Sequence, residues 1–149
     1  MNKNTGFTLI EVLIAMLVLA VGLLGLAGLQ ATSLSNAQSA YNRSQSTQLA
    51  YLLADNMRAN VAGVAAYTGS AAQIANCLTT VGCTPAQMAQ NDLYQWNLAV
   101  TTALPGGVGG IAVAVVGGAN VYTITISWTD KNNNGVPVST SFTTSFRLS

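Results

Sequence analysis

The chain has 149 residues, room for one small domain beside a long apolar N-terminal segment, and only 6% of them are charged. Outside the first six residues its cations are Arg43, Arg58, Lys131 and Arg147, too scattered for the clustered Lys and Arg that a phosphate- or nucleic-acid-binding surface needs. With no histidine and no carboxylate pair at a suggestive spacing outside the apolar segment, the composition argues against an enzyme, and no metal or cofactor is expected.

A short polar leader, residues 1–6, runs into an apolar span over 7–29 that a single carboxylate, Glu11, interrupts. As a helix rising about 1.5 Å per residue this span reaches roughly 34 Å, enough to cross a hydrocarbon core of about 30 Å. A carboxylate inside such a helix costs about 2.5–3.5 kcal/mol on insertion scales, so it needs a partner. Cutting between Gly6 and Phe7 supplies one. The new α-amino group lies four residues before Glu11, is largely cationic at neutral pH, and shares a helix face with the acid, within one chain or between neighbours. An ordinary secretory signal fits less well, since its apolar region runs about 7–15 residues and ends at a small-x-small site. Lys3 is the leader's one cation, and the positive-inside rule places residues 1–6 in the cytoplasm and the remainder, after the span, in the periplasm.

The stretch Gly6-Phe7-Thr8-Leu9-Ile10-Glu11 resembles the class III leader of type IV prepilins and the related pseudopilins. That resemblance implies a prepilin peptidase that cuts after Gly6 and methylates the amine of Phe7, with Glu11 neutralising the N-terminus of an adjacent subunit during assembly. It also implies a type IV pilin-like α+β fold, a long N-terminal helix whose second half packs on a small antiparallel sheet.

Within the span Gly22, Gly25 and Gly28 sit three apart, suited either to close helix packing or to local softening of the helix. Residues 30–62 read as a continuation of the helix. From 30 to 48 its apolar positions are sparse and it is expected to be mostly wetted, after which Leu49, Leu53, Met57, Val61 and Val64 form a helical stripe. Residues 63–149 are the globular domain. It opens on an irregular connection that holds Cys77 and Cys83, a pair expected to form a disulfide in an oxidising compartment. Two thiolates without a histidine make a poor metal site.

Thr84-Pro85-Ala86-Gln87 has capping-box spacing with proline at the first helical position, predicting a short helix to about Val100 with Met88, Leu93, Trp96 and Val100 on its buried side. Three antiparallel strands follow. Ile111 to Val116 leads into Gly117-Gly118, then Tyr122, Ile124, Ile126 and Trp128 alternate with polar residues, as do Val136 through Leu148. Their common apolar face is expected on the stripe from Leu49 to Val64. Between the last two strands, Asp130, Asn132, Asn134 and Gly135 match the first half of a calcium loop. Ser141 stands where that loop needs a bidentate glutamate, and turn chemistry alone accounts for these residues.

Further segments resemble one branch, the PilV family of minor pilins (type IV pilus modification proteins). They are residues 21–26, Gln30, Ala54-Asp55-Asn56-Met57-Arg58-Ala59-Asn60, the cysteine pair, residues 92–96, the Leu-Pro-Gly-Gly at 104–107 and residues 122–128. Asn56 departs from the pattern, standing where that family carries an arginine, which leaves the fold unaffected and weakens the case for a local salt bridge. The resemblance implies a low-abundance subunit of the inner membrane that primes the pilus and sits at or near its tip. Its partners would be other minor pilins, the major pilin, the prepilin peptidase, the inner-membrane assembly machinery and a tip adhesin. The nearest rival is a minor pseudopilin of a type II secretion system. A DNA-uptake or ligand-binding pilin would need a basic or aromatic patch that the sequence does not display.

Overall fold

A computed structural model of the chain describes residues 8–132 and 135–148. In chain order the elements are helix α1 (Leu9–Ala59), 3-10 helices at Val61–Thr68 and Ala75–Leu78, helix α2 (Pro85–Ala103), and strands β1 (Val108–Val116), β2 (Ala119–Lys131) and β3 (Pro137–Arg147). The chain divides into two compact units, one through Gln38 and one from Ser39.

The first unit is a bare stretch of α1. Its fourteen large apolar residues between Leu9 and Leu29 are each at least 44% exposed, with nothing among the described residues covering them. A helix apolar all round belongs inside a protein or a membrane. Among the described residues α1 is the one helix long and apolar enough to span a bilayer. Gly22, Gly25 and Gly28 are helical in the subunit, and a Cβ on any of them would meet open space.

The second unit packs the remainder of α1 and all of α2 on one face of a three-stranded antiparallel sheet of order β1-β2-β3. Central β2 alternates, with Tyr122, Ile124, Ile126 and Trp128 buried and the residues between them turned to the other face. They meet Ala50, Leu53, Ala54 and Met57 of α1 and Ala89, Leu93, Trp96 and Val100 of α2 in a single core that also holds Tyr67 and Leu104. Gly117 and Gly118, with φ of 61° and 79°, form the two-residue turn that joins β1 to β2, a conformation that suits glycine at both positions.

Several expectations change. Helix α1 stops at Ala59 and the chain tightens into a 3-10 helix, so Val61 leaves the stripe and lies exposed while Val64 is only half-buried. The buried face instead runs back through Ser46 and Asn42, which continue the four-residue spacing from Ala50 and are nearly inaccessible, so this part of α1 is not simply wetted. Small polar side chains suit the site because their groups find partners, as the Ser46 hydroxyl does in donating to the Arg43 carbonyl at 2.8 Å. On α2 Met88 points outward and Ala89 takes the inner position, in step with Leu93, Trp96 and Val100. Strand β1 begins at Val108, three residues earlier than the β-branched run suggests, because Gly109 and Gly110 pair with Ile126 and Thr125.

Candidate functional site

Glu11 lies in the first turn of α1, where its N–H bonds to the Thr8 carbonyl at 3.0 Å. A carboxylate there interacts favourably with the positive end of the helix dipole. It shares a helix face with Val12, Ala15, Met16 and Leu19, so an isolated acid stands on an apolar strip. Gly6 and Phe7, the expected cleavage junction and methylation site, lie outside the described residues.

The domain that this helix carries is held in shape by side chains that reach between elements. Thr84 and Gln87 close a reciprocal capping box at the start of α2, with contacts of 3.3 and 3.0 Å. The Asn60 amide donates to the Pro85 carbonyl at 2.8 Å and fixes α2 against the end of α1. Tyr67 donates its hydroxyl to Asp92, and burial together with that carboxylate pushes the phenol far above its ordinary range. The Trp96 indole N–H donates to the Leu49 carbonyl at 2.9 Å, tying the two helices, and its ring lies flush on the backbone of Gly109. Trp96 is a core residue, as its place on the apolar stripe implied.

Cys77 and Cys83 form a disulfide with Cα atoms 4.9 Å apart. Closing so short a loop stabilises by about 2 kcal/mol in the chain-entropy account. The segment before it is pinned to α2, Ile74 N–H to the Asn91 side chain and Ala72 N–H to the Gln90 carbonyl, both at 3.1 Å.

Of the calcium half-loop, Asn134 lies outside the described residues, while Asp130 and Asn132 are engaged in local hydrogen bonds. Asp130 accepts from the Ser39 hydroxyl at 2.6 Å and from the Lys131 N–H at 2.8 Å, while the Asn132 side-chain oxygen accepts from Val136 N–H at 2.9 Å. Among the described residues no group of three or more acidic, histidine or cysteine side chains converges on a metal position. The Ser39 bond, partly opposed by desolvation and assisted by the Lys131 N–H, holds the Asp130 carboxyl below the usual carboxylate range. A depressed folded pKa stabilises the domain above the unfolded value near 3.9, and that contribution is lost as pH falls through the folded value. Ser39→Ala should therefore raise the Asp130 pKa and move this loss to higher pH, at a cost under about 1 kcal/mol for so exposed a group. A carbon-detected NMR titration of Asp130 reads the shift directly, and an unchanged midpoint would contradict it.

At the end of α1 Asp55 and Arg58 form an exposed ion pair at 2.7 Å, so a local salt bridge exists despite Asn56. The Arg58 guanidinium also lies 4.9 Å from the Phe146 ring centre, and Phe146 stacks on Tyr122. Sequence reasoning missed the bonds Tyr67–Asp92, Ser39–Asp130 and Asn60–Pro85, all long-range in the chain.

The family described as type IV pilin Tt1218 matches residues 28–94, and the prokaryotic N-terminal methylation motif matches residues 1–27. No curated protein and no solved structure matches the chain. The two matched segments abut, and the long helix, small three-stranded sheet and disulfide-closed connection agree with them: over residues 1–94 the chain is similar to type IV pilins, and its fold is consistent with theirs.

Proposed function

We propose that this chain is a minor pilin of the type IV pilus. Residues 7–29 anchor it in the inner membrane with the domain in the periplasm. Prepilin peptidase cuts between Gly6 and Phe7 and methylates Phe7. The subunit then helps prime the filament with other minor pilins and the major pilin, and stands at or near the tip, where it connects a larger adhesin to the fibre. Type IV pilins are structural, and this reading assigns no catalysis.

The observation that carries it is the methylation-motif match over residues 1–27 joined to a helix whose apolar surface has no cover among the described residues. Such a helix is stable in lipid and in a bundle of like helices, and the move between them needs a cation for Glu11. Phe7 supplies it once cut. The minor-pilin assignment leans on the PilV-like segments at 54–60, 92–96 and 122–128.

Mass analysis of the protein isolated from cells tests this. The mature chain should begin at Phe7 and carry one extra methyl group on its amine. A chain that still begins at Met1, or beyond Leu29, overturns the reading.

A further inference from the structure

Strand β1 forms one edge of the sheet, and its outer half is uncovered at Val113 and Val115. The two-residue turn at Gly117-Gly118 makes Val116 and Ala119 the hydrogen-bonded pair that closes the hairpin. Alternation then directs the backbone of Ala114, Ala112 and Gly110 toward β2 and that of Val115, Val113, Ile111 and Gly109 away from it. Near Gly109 and Ile111 the segment Tyr67–Ala71 lies alongside and narrows the approach. Among the described residues nothing lies alongside Ala112 to Val115, and at Val116 the Arg147 guanidinium crosses from β3 to donate to the carbonyl at 3.3 Å. Among the described residues the N–H groups of Val113 and Val115 have no partner, and Val113, Val115 and Val116 are 45%, 72% and 50% exposed.

Exposed edges are ordinarily blunted by a charge, a proline or a bulge. The opposite edge, β3, opens on Pro137 and closes on Arg147. Strand β1 has none of these. Its nine residues carry no charge and no proline, and its register with β2 runs unbroken from Val108 to Val116.

We infer that the outer half of β1 is a docking edge for an extended, uncharged segment of another protein in the pilus assembly, which adds to the sheet as a fourth strand beside Ala112–Val116. Only an extended backbone presents donors and acceptors at the spacing that Val113 and Val115 offer, about 6.7 Å. Valine side chains beside them favour an apolar, uncharged neighbour. A second copy paired antiparallel through its own β1 edge does not fit. Ser39 bonds at the Asp130 end of β2, while Arg58 stacks on Phe146, which pairs with Tyr122 at the other end, so this part of α1 runs along the strands. A twofold axis that paired two β1 edges antiparallel would reverse one α1 segment against the other. Two copies anchored in one membrane by the same N-terminal span emerge in the same direction.

This inference rests on the reading of the chain as a pilus subunit. Its test uses the full-length processed chain, free in detergent and recovered in sheared pili. Val113→Pro removes an N–H that the β1–β2 ladder does not use, a position where an edge strand tolerates proline. Val115→Lys leaves the backbone intact and sets a charge on the edge. Both should keep the parent's melting temperature in detergent and fall roughly tenfold or more in pili, while amide exchange at Val113 and Val115 in the parent, fast in detergent, slows by a similar factor in pili. Parent-level recovery of both variants, or equal exchange in the two states, overturns the inference. So does protection of these amides in a detergent-solubilised dimer, which would make the occupant a second copy. If Glu11→Ala is lost from pili while both edge variants assemble normally, the docking edge fails and the pilus reading stands.

Discussion

Glu11→Ala is expected to leave membrane insertion intact and to remove the subunit almost completely from pili. The substitution deletes a carboxylate, a group that a membrane helix disfavours by up to about 2.5–3.5 kcal/mol at its centre and by less near its ends, so lipid accepts the variant at least as well as the parent. Assembly is another matter. In the proposed bundle the Phe7 amine is drawn out of the interface among apolar helices, and without Glu11 it has no anion to meet. Removing one partner of a buried ion pair costs about 3–5 kcal/mol, on the order of a hundredfold or more in incorporation. Membrane fractionation and immunoblots of sheared pili measure the two quantities separately. Incorporation at the parent's level would mean that the pair does not drive assembly. Glu11→Gln is the sharper comparison, since it keeps the shape and loses only the charge.

The second large effect is expected at Gly109. A Cβ built there falls 2.3 Å from two Trp96 ring carbons, far inside contact distance. The ring cannot simply yield, because Trp96 is 3% exposed and its N–H is committed to the Leu49 carbonyl. Gly109→Ala must either push β1 away from α2 or tilt the indole off its acceptor. Overpacking of this kind costs about 1–3 kcal/mol, and a lost buried hydrogen bond adds about 1 kcal/mol. We expect about 3 kcal/mol in all, read as a fall of roughly 10 °C or more in the melting temperature of the full chain in detergent. Gly110→Ala is the control. Its Cβ would meet nothing within 4 Å, and it should stay within about 0.5 kcal/mol of the parent. Equal effects at the two glycines would show that Trp96 does not rest on Gly109.

These two residues mark what the sequence could and could not disclose. Glu11 is legible because its meaning is local: one acid in a long apolar run, four residues after a Gly-Phe junction. The three strands and the cap of α2 are legible for the same reason, since alternation and the Thr84 to Gln87 spacing are carried by neighbouring residues. Gly109 is not. Its role depends on Trp96 crossing from another element, and no period in the chain announces that contact. Ser46 and Asn42 were hidden differently. They lie on the inward face at the spacing of Ala50, but a rule that counts only apolar residues passes over small polar ones with satisfied hydrogen bonds. The end of α1 at Ala59 lacked a signal too, for no proline or glycine stands there, and Asn60 instead bonds forward to Pro85.

The uncovered helix from Leu9 to Leu29 has a bearing on how the subunit travels. Leaving fourteen large apolar side chains to water, at about 1.5–3 kcal/mol each, would cost roughly 20 kcal/mol or more. At that cost a free, water-borne intermediate is too rare to serve any pathway. On the proposed pilus reading each subunit passes from lipid to fibre by direct hand-over, one greasy contact exchanged for another as the helix slides, and disassembly retraces the same route. The bilayer is then a reservoir in equilibrium with the base of the fibre, so retraction can return subunits intact for reuse.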